Sequence, residues 1–132
     1  MKIKLIKIAK DTNLFLMKFL SKQKNSQLIP VMKYGLFSGG KKIRSKILVD
    51  IGSLLSIDYK TLIAIGAAVE CIHAYSLIHD DLPCMDNDKM RRGKPSAHIK
   101  FGESTAVLAG NSLLTMAFEI LTNPTLKVSE KI

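Results

Sequence analysis

Apolar residues recur through the first two dozen positions at steps of three to five residues, with lysines between them. This spacing predicts an amphipathic helix. Its apolar stripe would consist of Ile3, Ile6, Ala9, Leu14, Met17 and Leu20. The positive start passes directly into this pattern and has no small-residue cleavage site, so we interpret it as a helix and not as a signal peptide.

Polar breaks divide the next part of the chain. The stretch 22–30 is polar and ends in proline, so we expect a loop there. Ser38-Gly39-Gly40 interrupts the chain again, and a second helix is predicted from Lys41 to about Leu55. No segment alternates apolar and polar residues with period two for long enough to require a strand.

The longest apolar run follows Asp58, a suitable N-cap, and is predicted to form a helix from Tyr59 to Asp81. Because this helix is apolar on nearly all sides, we expect it at the centre of the fold. A membrane span is the alternative, but Glu70 and His73 lie within the run and aspartates end it. A buried helix of a soluble, cytoplasmic protein without stable membrane insertion is therefore favoured.

The remaining chain is predicted to contain one loop and one helix. The stretch 85–101 is polar and contains Gly93 and Pro95, so a loop is expected. The stretch 103–121 is apolar and helical in pattern, and Asn123-Pro124 closes it. All predicted elements are helical, so the fold class is all-α, an antiparallel helical bundle.

Charge is distributed unevenly along the sequence. The net charge is +9, but residues 1–46 hold 12 of the 20 basic residues and only one acid, Asp11. A basic surface of this kind attracts nucleic acid, anionic lipid or a phosphorylated metabolite. The chain has no tryptophan and 6% aromatic residues, so a base-stacking surface is not expected and nucleic acid is not a predicted partner.

The two cysteines, Cys71 and Cys84, show no metal-ligand spacing. Both are predicted to be reduced thiols that act as small apolar side chains in helical, mainly apolar surroundings.

Four of the eleven acids fall within nine residues at the end of the most apolar helix: Asp80, Asp81, Asp86 and Asp88. Carboxylates gathered in this way repel each other unless a cation neutralises them. Magnesium suits such oxygen ligands and takes its other ligands from water and substrate phosphate. The alternative is a solvated acidic helix end.

Basic residues follow these acids directly: Lys89, Arg91, Arg92 and Lys94. Arginine matches phosphate oxygens bidentately, so acids and bases together suit a magnesium–diphosphate site. A salt-bridged surface loop is the alternative for the basic residues alone.

Two further features suit an anion. His73 precedes Asp80 by seven residues, about 10 Å along the same helix face, and would face the same cavity as the metal site. The alternative is a core residue, which an isolated histidine on an apolar helix usually is. Gly39-Gly40-Lys41-Lys42-Ile43-Arg44 would open a helix with a basic first turn, where free N–H groups favour anions. Lys41 and Arg44 would share one face of it. An ordinary basic helix start is the alternative.

Taken together, these motifs resemble the trans-prenyl diphosphate synthases, the farnesyl and geranylgeranyl diphosphate synthase family. The resemblance extends from about Tyr34 to Leu121 and is carried, in order, by the segments Glu70–Asp88, Arg91–Pro95, Phe101–Glu103 and Leu108–Leu114. It implies the N-terminal part of an isoprenoid synthase fold. It also implies a magnesium-dependent prenyltransferase that condenses isopentenyl diphosphate with an allylic diphosphate, dimethylallyl or geranyl, to give farnesyl diphosphate.

The resemblance also implies the site residues. Asp80, Asp81 and Asp86 would form the catalytic aspartate motif, with Asp80 and Asp86 as the magnesium ligands. The implied substrate-binding residues are Arg91 for the allylic diphosphate, and Lys41, Arg44, His73 and Arg92 for isopentenyl diphosphate.

Product length is implied by the same comparison. The spacing from Asp80 to Asp86 has two extra residues, and Tyr75 lies five positions before Asp80. An aromatic residue there, with Ser76 beside it, would act as a floor that stops the chain at farnesyl length. A geranylgeranyl product is the runner-up.

Some features depart from the family pattern: Ser45 replaces a usual proline, Asn111 a usual aspartate and Cys84 a usual small residue. The family's second aspartate-rich motif is not found, so residues 1–132 are interpreted as a single, incomplete domain. A non-catalytic remnant or partner subunit is therefore an alternative to an active enzyme. A homodimer, or pairing with a missing C-terminal half, is expected. A basic nucleic-acid or membrane-surface binder is disfavoured, since it leaves the acids unexplained.

Overall fold

The computed structural model describes residues 4–126, and that part of the chain contains six helices and one short hairpin. The helices are α1 (Leu5–Ser21), α2 (Leu28–Phe37), α3 (Ile43–Leu54), α4 (Tyr59–Asp80), α5 (Ala97–Phe101) and α6 (Glu103–Leu121). The strands β1 (Met90–Arg91) and β2 (Lys94–Pro95) pair antiparallel, with Met90 opposite Pro95. The all-α prediction is confirmed.

Helix α4 lies at the centre of the bundle, as predicted. It packs most extensively against α6 and also contacts α3, α1 and α2. Its first turn is capped by Asp58, whose Oδ2 accepts a hydrogen bond from the Thr61 amide at 3.1 Å. This cap satisfies one of the free N–H groups at the helix start and confirms Asp58 as the N-cap.

By length and composition alone, α4 and α6 are each apolar enough to cross a membrane. The core helix of a water-soluble fold meets the same criteria. In α4, 61% of the most apolar 18-residue stretch is buried inside the bundle, whereas in α6 the corresponding share is 39%. The packing of α4 is therefore that of a core helix, whereas α6 leaves Leu108 and Phe118 exposed.

The apolar stripe predicted for α1 is wrong, although the helix is present. Ile6 and Leu14 are 81% and 56% exposed, and Ile3 lies outside the described residues. The buried face consists of Ile8, Thr12, Leu16 and Leu20, spaced four residues apart. Thr12 within this row hid it from a count of apolar residues. Among the stripe residues that the structure describes, Leu20 alone is buried.

The loop predicted over 22–30 is wrong at its end, because helix α2 begins at Leu28. Pro30 lies in its first turn, where the amide has no partner within the helix, so a proline is tolerated there. Val31, Met32 and Leu36 of α2 are buried in the main core. The proline marked the start of a helix and not the end of a loop.

Two other boundaries differ from the prediction. Helix α3 begins at Ile43, so Lys41 and Lys42 precede it, and Lys42 has the left-handed conformation with φ 53°. The region predicted as a loop over 85–101 contains the hairpin and α5. Strands of two residues are too short to produce the alternating pattern by which a strand is recognised.

The two cysteines lie in different environments. Cys71 lies in α4, has a free thiol and is fully buried in the core, as predicted. Cys84 lies beyond the end of α4 and is exposed, so its predicted apolar environment is wrong. Burial, as the largest cause, raises the pKa of the Cys71 thiol to about 12. The thiolate is the reactive form, so the native Cys71 is expected to be unreactive.

Alkylation should distinguish the two thiols. At about pH 8, iodoacetamide is expected to modify Cys84 and leave Cys71 unmodified, and urea should make both react. Mass spectrometry of proteolytic peptides measures the two rates. Equal labelling of both cysteines in the native chain would contradict the core described here.

Candidate functional site

A cavity of about 250 Å³ lies where the end of α2, the start of α3, the middle of α4 and the hairpin meet. Its polar lining residues are Lys41, Lys42, Arg44, Glu70, His73 and Arg92, and glycines 35, 39 and 40 line it with their backbone. Its volume is just below the range of about 300–1,000 Å³ usual for small-molecule sites. The structure thus brings together Lys41, Arg44, His73 and Arg92, which come from three separate segments of the sequence.

The hairpin closes one side of this cavity. Arg92 Nη1 donates a hydrogen bond to the Gly39 carbonyl at 2.7 Å. A Cβ atom at Gly40 would lie 2.7 Å from the same Nη1, and the Gly40 φ is 105°. Glycine is therefore favoured at Gly40 by its backbone conformation, and the absence of a side chain leaves room for the guanidinium.

His73 and Arg44 meet across the cavity, where Arg44 Nη1 lies 3.3 Å from His73 Nε2. Burial, and then the Arg44 charge, lower the pKa of His73 below its ordinary value. The ring is consequently neutral near neutral pH, and its Nε2 can accept a hydrogen bond from the guanidinium.

Lys41 and Arg44 both line the cavity, but not for the predicted reason. They were expected to share a helix face, whereas Lys41 precedes α3. The turn at Lys42 directs the chain so that both residues still border the same space. The basic residues around the cavity, with the glycine amides, form an environment suited to an anion.

The sequence prediction missed a buried pair at this cavity. Lys42 and Glu70 are 8% and 4% exposed, and Lys42 Nζ lies 3.7 Å from Glu70 Oε2. Burial lowers the pKa of Lys42, and the Glu70 charge opposes that shift. The available signal was an acid inside the most apolar helix, three residues before His73.

The aspartate-rich end of α4 lies beyond this cavity, and none of its aspartates is among the lining residues in the described part of the chain. Asp81 is 2% exposed and forms a bidentate ion pair with Arg91. Arg91 Nε and Nη2 donate to the Asp81 carboxylate, each at 2.8 Å. Arg91, predicted to bind the allylic diphosphate, is thus held by the motif itself.

Asp80 and Asp86 are brought to the same turn by a backbone hydrogen bond from the Asp86 amide to the Asp80 carbonyl, 2.8 Å long. Within residues 4–126, no three His, Cys, Asp or Glu side chains converge closely enough to hold a metal. The metal donors that Asp80 and Asp86 offer are all carboxylate oxygens. Such a set fits a magnesium ion that takes its remaining ligands from water and phosphate, and not an ion enclosed by protein alone.

Tyr75 packs edge-to-face on His79, with ring centroids 4.6 Å apart, and borders the main core. His79 Nε2 in turn lies 3.0 Å from the Val107 carbonyl of α6. A Cβ atom at Gly110 would lie 2.3 Å from the same Nε2, so glycine makes room for this ring. Ser76, the other residue predicted to set product length, donates to the His73 carbonyl at 2.9 Å.

Comparison with known proteins finds a family that the chain matches. The family model described as polyprenyl synthetase matches residues 25–131. The farnesyl diphosphate synthases of Buchnera aphidicola (Acyrthosiphon pisum) and Escherichia coli K12 are 54% and 52% identical over 98 and 99 residues. Those stretches cover 74% and 75% of this chain, and 35% and 33% of the relatives.

A solved structure described as a geranyltransferase from Legionella pneumophila superimposes with a TM-score of 0.85 at 44% identity. The match covers 89% of this chain and 41% of that one. The chain therefore spans about a third of the length of the curated relatives it matches.

Proposed function

The chain belongs to the polyprenyl synthetase family, and we propose that it forms the diphosphate-binding portion of a farnesyl diphosphate synthase. The reaction would join isopentenyl diphosphate to an allylic diphosphate, dimethylallyl or geranyl. The names of the relatives support this activity for proteins about three times the matched length. Because the match covers about a third of those proteins, we propose the activity for this chain together with a second portion.

The observation that carries the proposal is the convergence of Lys41, Arg44, His73 and Arg92 on one cavity. We assign the isopentenyl diphosphate group to this cavity. Arg44 and Lys41 would bind its oxygens, and Arg44 can exchange its neutral histidine partner for an anion at little cost. Such charge-assisted hydrogen bonds are roughly twice as strong as neutral ones.

The second diphosphate, that of the allylic substrate, is assigned to the aspartate-rich end of α4. Asp80 and Asp86 would hold magnesium there, and a bound ion would supply charge stabilisation to the diphosphate. Asp81 orients Arg91 through its bidentate pair. Arg91 retains one exposed side, since about a third of its side chain is accessible, from which it can donate to phosphate.

Further aspects of the prediction belong to this proposal. Tyr75, held by His79, would form the floor that limits the product to farnesyl length, with Ser76 beside it. The protein would act in the cytoplasm, as a homodimer or paired with a second portion. The exposed apolar side chains of α6, Leu108 and Phe118, supply a surface for such an association.

Turnover provides the test. The chain would be assayed with isopentenyl and geranyl diphosphates and magnesium, alone and joined to the remaining two-thirds of the E. coli relative. Farnesyl diphosphate is expected from the joined protein and not from the chain alone. No product from the joined protein, while the intact E. coli enzyme is active in the same assay, would support a non-catalytic remnant.

A further inference from the structure

The buried carboxylate of Glu70 has no part in the function proposed above. We propose that Glu70 is a positioning residue, which holds Lys42 in its left-handed turn and thereby sets where Lys41 and Arg44 stand in the cavity. The inference rests on the proposed function, since it assigns Glu70 to the same diphosphate site. It rests on three features of the contact between α3 and α4.

The first feature is the strained turn at Lys42, with φ 53° and ψ 42°. A non-glycine residue persists in this conformation only where its surroundings hold it. Lys42 Nζ donates to the Leu36 carbonyl at 2.8 Å and lies 3.7 Å from Glu70 Oε2. The Lys42 carbonyl accepts the first helical hydrogen bond of α3, from the Lys46 amide, so the turn determines where α3 begins.

The second feature is the other oxygen of the same carboxylate. Glu70 Oε1 accepts from the Ser45 amide at 3.4 Å and lies 3.3 Å from Ser45 Oγ. The Ser45 hydroxyl is also 3.1 Å from the Gly66 carbonyl. One carboxylate thus contacts the residue before α3 and a residue of its first turn. Proline at Ser45 would offer neither an amide hydrogen nor a hydroxyl.

The third feature is the arrangement along α4. Glu70 and His73 are three residues apart and so lie on one face of the helix. Glu70 holds Lys42 and Ser45, while His73 contacts Arg44. The start of α3 is therefore fixed on α4 at both positions, and Arg44 lies between the residues that Glu70 holds.

Charge alone would give Glu70 the opposite effect on binding. A carboxylate that lines an anion cavity repels the anion, so its neutralisation should strengthen diphosphate binding. If Glu70 positions the cations, its neutralisation should weaken binding. The sign of the change therefore separates positioning from simple electrostatics.

The test measures inorganic diphosphate binding to the full chain by isothermal titration calorimetry. Glu70→Gln keeps the side-chain shape and the acceptor for Ser45 but removes the partner of the Lys42 charge. Its dissociation constant is expected to rise about tenfold. Asp50→Asn is the matched control, because it removes an exposed carboxylate of α3 that pairs with Lys46, and should leave the constant unchanged. Equal or tighter binding by Glu70→Gln overturns the inference.

A second pair of variants shows whether Glu70 acts through Lys42. Lys42→Met breaks the pair from the other side, and the double variant Glu70→Gln/Lys42→Met leaves no buried charge unpaired, so it should fold even if a single variant does not. The double variant is expected to bind as Lys42→Met does. A further tenfold loss in the double variant would show that Glu70 acts independently of Lys42.

A measurement without ligand separates this inference from the proposed function. Amide hydrogen exchange at Lys46, whose amide donates to the Lys42 carbonyl, is expected to accelerate in Glu70→Gln while circular dichroism shows unchanged helix content. Unchanged exchange overturns the positioning role alone. Failure of the wild-type chain to bind diphosphate, with accelerated exchange in the variant, instead counts against the proposed function.

Discussion

Replacing Arg91 with alanine is expected to destabilise the fold by about 2–4 kcal/mol, the largest loss of stability among the predicted variants. Arg91 makes two hydrogen bonds to Asp81, whose carboxylate is almost fully buried. Without the guanidinium, that carboxylate would remain buried without its counter-charge. The value lies below that for a fully buried pair because Arg91 itself is about a third exposed. Urea denaturation followed by circular dichroism measures the change.

The control for Arg91→Ala is Lys46→Ala, which breaks the ion pair with Asp50 on the exposed side of α3. Exposed pairs of this kind contribute about 0–1 kcal/mol. The two variants remove the same charge and the same number of ion pairs, so the differences between them are the burial of the partner carboxylate and the second hydrogen bond of Arg91. An Arg91→Ala loss no greater than that of Lys46→Ala would contradict the role given to this pair.

Replacing Arg44 with alanine is expected to weaken diphosphate binding by roughly 10- to 100-fold, the largest loss of affinity. Arg44 lines the cavity and contacts His73, a neutral partner that an anion can displace. A hydrogen bond between ionised groups is worth more than the one it replaces. Calorimetric titration with inorganic diphosphate gives both dissociation constants.

Lys60→Ala is the matched control for Arg44→Ala, since it lowers the net charge equally. Lys60 lies in the first turn of α4, the end of the helix opposite the aspartates, and is exposed. If binding depends on the shaped cavity, this variant should bind as the wild type does. Equal weakening by both variants would mean that diphosphate is attracted by overall positive charge and not by the site.

Patterns within single helices allowed much of this structure to be predicted from the sequence. The N-cap at Asp58 and the apolar run after it gave the central helix nearly to its last residue. The burial of Glu70 in this helix is consistent with its position at the centre. The face of α1 was predicted wrongly because its buried row includes Thr12, and the helical period alone does not say which row meets the core.

The sequence was enough to propose the residues of the candidate site, but not the ion pairs that hold them in place. Basic residues near glycines and acids near arginines suggested phosphate and magnesium before any contact was known. The Lys42–Glu70 pair could not be found this way, since it depends on a left-handed turn that brings α3 against α4. The Asp81–Arg91 pair likewise requires the hairpin, which is too short to leave a sequence pattern.

The function proposed above requires the cavity between α2, α3, α4 and the hairpin to be a specific diphosphate site. Nuclear magnetic resonance of the 15N-labelled chain, titrated with inorganic diphosphate, tests it most directly. Saturable chemical-shift changes are expected at Gly39, Gly40, Lys41, Arg44 and His73, and these changes should no longer saturate in Arg44→Ala. Shifts spread along the lysines of α1, or no shifts at the cavity, would contradict it.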